Sequence, residues 1–298
     1  MQTKRGRTGE TKVLNYGDVL LREEDVSLLE GPYWLNDQVV AFFFEYLSQE
    51  GLPAESPTHG SPHQTSTATL ATSQSADSVL LVPPTTAFLL MHSPPDVAAE
   101  VLAPLKPAQK GLVVLPVNDN DDVDVAVGGS HWSLLIYHRP SNTLRHYDSS
   151  PCSCSTVAPA AGGSRRSSWA ARKMAEAVGP ALGAGDGSAP RLVEVPCMPR
   201  QTNGYDCGVY VLAVARAACE WWMQAAGGRV PEEAKQAAEG GQEAAAAGEW
   251  EARERGMASW LTPAYVAGLR SEVLEVIRSK AAAAAVGAGG PAEVPKSV

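Results

Sequence analysis

Residues 131–150 read HWSLLIYHRPSNTLRHYDSS, and how this stretch is read decides the fold. Two runs rich in aliphatic, aromatic and β-branched residues flank Arg-Pro-Ser-Asn at 139–142, the composition of a tight reversal between two strands. The register of such a hairpin can be argued. A two- or four-residue loop around Pro140–Ser141 places Asp148 opposite Ser133, on the same face as His131. Diagonal neighbours on one face lie about 7–8 Å apart at Cα, close enough for an imidazole and a carboxylate to lean together. A three-residue loop would turn Asp148 to the other face. The sequence therefore permits a His–Asp pair without requiring one.

Working outward, short apolar runs at 79–83, 112–117 (LVVLPV) and 192–195 read as further strands. Between Trp34 and Leu47, bulky apolar residues at 35, 39, 42, 43, 46 and 47 approach a 3.6-residue period, so a helix is expected with Asn36 or Asp37 as its N-cap. Trp169–Leu182 is a second helical stretch, with Met174, Val178 and Leu182 on one side. GYDCGVYVLAVARAACEWW, at 204–222, leads into a long apolar helix with Cys207 at its start. A mixed sheet packed by helices, α+β, follows from this order.

Composition narrows the function. The 298 residues carry 24 basic and 33 acidic side chains, a net charge of −9, which argues against a phosphate-backbone binder. No stretch approaches the ~20 apolar residues that span a bilayer. The basic start, MQTKRGRTGETK, lacks the apolar core of a secretory signal and reads as a flexible tail over 1–12. With 27 glycines and 22 prolines but only 19% charged residues, much of the chain is low-complexity. The Ser/Thr/Pro-rich stretch 56–78 reads as a flexible insertion, and the Ala/Gly/Glu-rich stretch 224–257 as an insertion, helical at most in part, that carries no chemistry. Residues 281–298 read as a disordered Ala/Gly tail. One domain, 13–280, remains.

An odd count of five cysteines, 152, 154, 197, 207 and 219, suits a reducing compartment and leaves a free thiol. Cys152 and Cys154 form a C-x-C without a second spaced pair, so a zinc site is not expected. Cys197 lies between nearby prolines, away from any helix start, and Cys219 is three turns into an apolar helix. Cys207 differs. At a helix N-terminus the backbone N–H groups favour negative charge on sulfur. Gly208 would let the backbone approach a substrate closely. A His131–Asp148 pair gives an oriented base for that thiol, and Gln201 offers an amide to a developing oxyanion beside the Cys207 N–H. No metal or organic cofactor is needed for such a hydrolase.

WLND at 34–37, GGSHWSLLIY at 128–137, HYDS at 146–149 and QTNGYDCGVYV at 201–211 together resemble the ubiquitin-like-protein (sentrin/SUMO) protease family, in the family's order His, Asp, Gln, Cys. DVSLLEGPYWLND at 25–37, NDN at 118–120, His-Trp-Ser at 131–133 and LTPAYV at 261–266 make it most similar to the deneddylase branch. The resemblance implies a papain-like cysteine-protease fold and cleavage after the C-terminal Gly-Gly of a Nedd-type modifier. It assigns His131, Asp148 and Cys207 to catalysis, and Gln201 with the Cys207 amide to the oxyanion. Trp34 and Trp132 would line a tunnel over the Gly-Gly, and Asp37 would meet the modifier's basic tail. For Trp34 a helix-start core anchor, and for Asp37 a helix cap, are the plainer readings.

The acidic loop 118–128 resembles the family's mobile gate, though a solvated charge run would look the same. Implied partners are the modifier and its conjugates, cullins among them by analogy, met by a monomer in the cytoplasm or nucleus, with no nucleic acid or membrane. A SUMO protease, an acyltransferase and a catalytically silent modifier-binding module are the alternatives; a silent module would typically lack one of the three catalytic residues.

Overall fold

The computed structural model describes residues 11–51, 78–125, 128–150, 163–183, 187–225 and 241–288. Most of the Ser/Thr/Pro-rich insertion, Cys152 and Cys154, the first ten residues and the last ten lie outside them.

A five-stranded mixed sheet organises the chain, in the order β3 (Val79–Leu81), β4 (Leu112–Asn118), β5 (Trp132–His138), β6 (Thr143–Tyr147), β7 (Arg191–Glu194). The outer pairs are parallel and the inner two antiparallel. β4 and β5 read as continuous apolar runs because both faces of the sheet are covered. Leu112, Val114, Leu134 and Ile136 face one core, and Val113, Leu115, Leu135 and Tyr137 the other. Pro116, which has no N–H to give a ladder, stands beyond the last residue of β4 that pairs with β3.

On the first face lie the hairpin β1 (Lys12–Tyr16)–β2 (Val19–Arg22), the short helix α1 (Glu23–Ser27) and α2 (Asp37–Tyr46). The second face carries α3 (Pro84–Met91), α4 (Pro95–Leu102) and α5 (Gly163–Leu182), whose Met174, Val178 and Leu182 are buried as the period requires. Helices α6 (Cys207–Gln224), α7 (Gly241–Arg255), α8 (Met257–Trp260) and α9 (Pro263–Ala288) complete the first side.

Three boundaries differ from the sequence reading. Lys12, assigned to the tail, opens β1, and α9 runs on through Ala288 into the expected disordered tail. The end of the 224–257 stretch is structural. Glu254 and Trp250 are buried, and Glu254 takes both forks of Arg145, at 2.7 and 2.5 Å, and the Tyr147 hydroxyl at 2.6 Å. Trp250 donates to the same hydroxyl at 2.9 Å. Composition masked these two residues because their neighbours are small; the buried Arg145 requires a paired carboxylate.

Candidate active site

The site forms where β5 begins, β6 ends and α6 begins. The β5–β6 register pairs Leu134 with Tyr147 and His138 with Thr143, which continues to Ser133 opposite Asp148 as the four-residue loop demands. Asn142 closes that loop in the left-handed region, φ 43°. His131 Nε2 then lies 2.7 Å from Asp148 Oδ1, and the same oxygen accepts the Ser150 N–H at 2.8 Å. Cys207, buried at the first position of α6, stands close enough to the ring to help hold its proton. With Nε2 given to Asp148, Nδ1 is left to the thiol.

Burial opposes charge on the imidazole, yet the bonds to Asp148 and Cys207 outweigh it and lift His131 to a pKa of about 10. Burial also raises the Asp148 carboxyl, but the His131 hydrogen bond and charge and the Ser150 amide bring it below its ordinary value. The other two described thiols sit differently. Burial pushes Cys219 up to about 12, and Cys197 is raised by the same cause.

Gln201 is buried, its Oε1 accepting from Ser149 Oγ at 2.9 Å and its Nε2 donating to the Asn203 carbonyl at 2.7 Å, which leaves a second amide proton. Trp34 is 48% exposed and donates to the Gly204 carbonyl, three residues before Cys207, so it is no core anchor. Trp132 is buried, donates to the Leu35 carbonyl at 2.9 Å, and with Cys207, Tyr147 and Met198 lines a void too small for water. The helix cap of α2 is Asn36, which accepts the Val39 N–H at 3.1 Å. Asp37 takes only its neighbour Gln38's N–H, at 3.0 Å.

Gly208 has a packing role that the sequence did not show. A Cβ there would stand 3.0 Å from the Leu35 Cβ, so its small size serves the approach of α6 to the 34–35 segment.

Sequence reasoning passed over four residues. Asp119, in the acidic loop, is buried and accepts the His131 N–H at 2.9 Å and the Ser130 hydroxyl at 2.7 Å. It anchors the approach to His131 and is not part of a solvated run. Gly129, φ 84°, makes that approach possible, since a Cβ would fall 1.9 Å from Asn118 Oδ1. Asp206 and Arg270 form a buried pair at 2.8 Å just ahead of Cys207. Their signal was legible: Arg270 falls on the face of α9 that buries Val266, Leu269, Val273 and Ile277.

A thiol at a helix N-terminus facing a His–Asp pair at the end of a covered sheet defines a cysteine-type peptidase of the papain-like class. Comparison with known proteins carries this further. Residues 108–220 match the model of the Ulp1 protease family, C-terminal catalytic domain. "NEDD8-specific protease 1" of Arabidopsis thaliana is 36% identical over 214 residues, 72% of this chain and 77% of that protein. "Sentrin-specific protease 8" of Homo sapiens is 36% identical over 208 residues, 70% of this chain and 81% of that protein. The chain belongs to the Ulp1 protease family.

Among solved structures, the "SUMO protease Ulp1 with the catalytic cysteine oxidized to a sulfinic acid" superposes with a TM-score of 0.52 at 16% identity, covering 91% of this chain and 89% of that one, which bears on the fold.

Proposed function

We propose that this protein cleaves after the C-terminal Gly-Gly of a Nedd-type modifier, both in its precursor and in its isopeptide conjugates, using Cys207 as nucleophile. The observation that carries the reading is His131 held between Asp148 and Cys207 at the start of α6. The choice of modifier is supported by the name of the Arabidopsis thaliana relative, which is 36% identical to this chain over the 214 aligned residues.

Chemistry follows from the geometry. The sulfur attacks the glycine carbonyl while the imidazolium holds the proton that it gives to the departing lysine amine. That leaves a thioester and a neutral ring. The ring then takes a proton from water, which attacks the thioester and returns Cys207. Negative charge on the carbonyl oxygen is met by the Cys207 amide and the second amide proton of Gln201. Asp148 keeps Nδ1 turned to the sulfur throughout. Trp34, exposed beside Gly204, supplies a flat wall that admits residues without side chains, and Asp37, released from capping, faces a basic tail. Conjugates such as cullins are the expected substrates, met by a monomer.

The test is kcat/KM for fluorogenic C-terminal amides of NEDD8, SUMO and ubiquitin, with Cys207→Ala as blank. NEDD8 preferred by about a hundredfold or more is expected. SUMO preferred by that margin would overturn the choice of modifier and leave the chemistry standing.

A further inference from the structure

Aspartate at the position before a helix ordinarily caps it, accepting an N–H of the first turn. At α6 it does not. Asp206 makes no capping bond. Its Oδ1 is taken by Arg270 from α9, at 3.2 Å through Nε and 2.8 Å through Nη2, and its Oδ2 by Asn203 Nδ2 at 2.7 Å. The carboxylate is pulled aside from the amides that Cys207 and an oxyanion need. Seated on them, it would occupy the same donors and oppose negative charge on the sulfur.

The same guanidinium reaches the other wall of the site. Nη1 donates to the Leu28 carbonyl at 2.7 Å and to the Gly31 carbonyl at 3.3 Å, and Nη2 to the Tyr33 carbonyl at 3.0 Å. One side chain thus joins the residue before Cys207 to the residue before Trp34. A planar fork with five donors can do this and an ammonium cannot. A charge buried in an apolar helix face costs stability unless paired, so its pairing here calls for a reason beyond packing.

We infer that Arg270 is a positioning residue that neutralises Asp206, draws its carboxylate off the N-terminus of α6 and holds the Trp34 segment against the nucleophile loop. The inference rests on the reading of Cys207 as the nucleophile. The charged groups facing the thiol are His131 just ahead of β5, Asp148 behind it just after β6, Asp206 from the loop before α6 and, through Asp206, Arg270 from α9. Tyr147 and Tyr210 line the same void as Cys207, their hydroxyls bonded away to Glu254 and to the Arg200 carbonyl, and Leu35 packs on the α2 side.

The experiment is the second-order rate of alkylation by iodoacetamide against pH, read at Cys207 by peptide mass spectrometry, alongside kcat/KM for the NEDD8 amide. Arg270→Gln should slow alkylation on the order of tenfold at neutral pH and move the acid limb of the profile to higher pH, because Asp206 is left unneutralised. Asp206→Asn should move the limb the other way. The double variant should restore alkylation, while kcat/KM stays about tenfold down because the Trp34 segment has lost its anchor. If Arg270→Gln does not fold, the Asp206→Asn shift and Arg270→Lys decide. Lysine keeps the charge, so alkylation should hold while kcat/KM falls. Profiles that superpose on wild type in every soluble variant would overturn the inference. A wild type whose Cys207 alkylates no faster than Cys197 would instead overturn the reading of the nucleophile.

Discussion

Replacing Asp148 by Asn tests how the His131–Asp148 pair works. From register alone, the substitution would be expected to turn an amide N–H toward Nε2 and force the wrong tautomer on the ring. The structure gives a different answer, because Asp148 Oδ1 also accepts the Ser150 N–H at 2.8 Å. Ser150 fixes which end of an asparagine amide faces inward, so its oxygen stays at Oδ1 and Nε2–H keeps an acceptor. The amide nitrogen falls at Oδ2, a buried atom with no hydrogen-bond partner. What is lost is the charge. A hydrogen bond to an ionised partner contributes about 1.5–3 kcal/mol and a neutral one about 0.5–1.5. The difference of about 1–2 kcal/mol corresponds to roughly five- to thirtyfold in kcat, with KM little changed.

The pH profile carries the sign. Deprotonation of the imidazolium ends activity on the basic side, and in wild type the His131 pKa is held at about 10. Without the carboxylate, protonation is less favoured and the basic limb moves to lower pH. Asp148→Ala should cost about a thousandfold, since it leaves Nε2–H and the Ser150 N–H buried and unpaired. Steady-state kinetics on the NEDD8 amide between pH 6 and 10.5 checks all three outcomes. An Asn variant as inactive as the Ala variant would refute the argument from Ser150. A basic limb that does not move would refute the role of the charge.

Other perturbations separate function from stability. Trp34→Ala should lower kcat/KM without changing the denaturation midpoint, because its indole is half exposed, whereas Trp132→Ala should cost about 3–5 kcal/mol in urea unfolding as well as activity. Asp37→Ala should raise KM in a salt-dependent way at constant stability; Asn36→Ala, which removes the true cap, should cost about 1 kcal/mol instead. Glu254→Ala leaves the buried Arg145 only the half-exposed Glu251, at 3.8 Å, and should destabilise by about 3 kcal/mol in the same unfolding assay.

The strands of the sheet and the helix starting at Cys207 were legible in the sequence because they depend on local signals: short apolar runs, a Pro-containing reversal, and period; the hairpin register was narrowed to two choices that only the loop length separates. Asn36 over Asp37 as the cap was not, since either side chain can accept the same amide. The work of Asp119 was hidden in a run of acids, where burial rather than composition distinguishes an anchor from a solvated charge. Arg270 stood out as a charge on the apolar face of α9, but its partner Asp206, 64 residues away, did not, nor did Glu254, 109 residues from Arg145, because no window along the chain brings such pairs together. Gly208 beside the nucleophile suggested substrate access; its neighbour Leu35, on a segment far back in the chain, gives it a packing role.

The central claim is that Cys207 is the thiol that attacks a Nedd-type C-terminus. Intact-mass and peptide-mass analysis after reaction with NEDD8 vinyl sulfone tests it most directly. One modifier per chain, attached at Cys207 and absent from Cys207→Ala, is the expected result. A modifier attached at Cys197 or another cysteine, or no adduct at all from a folded chain, would contradict it.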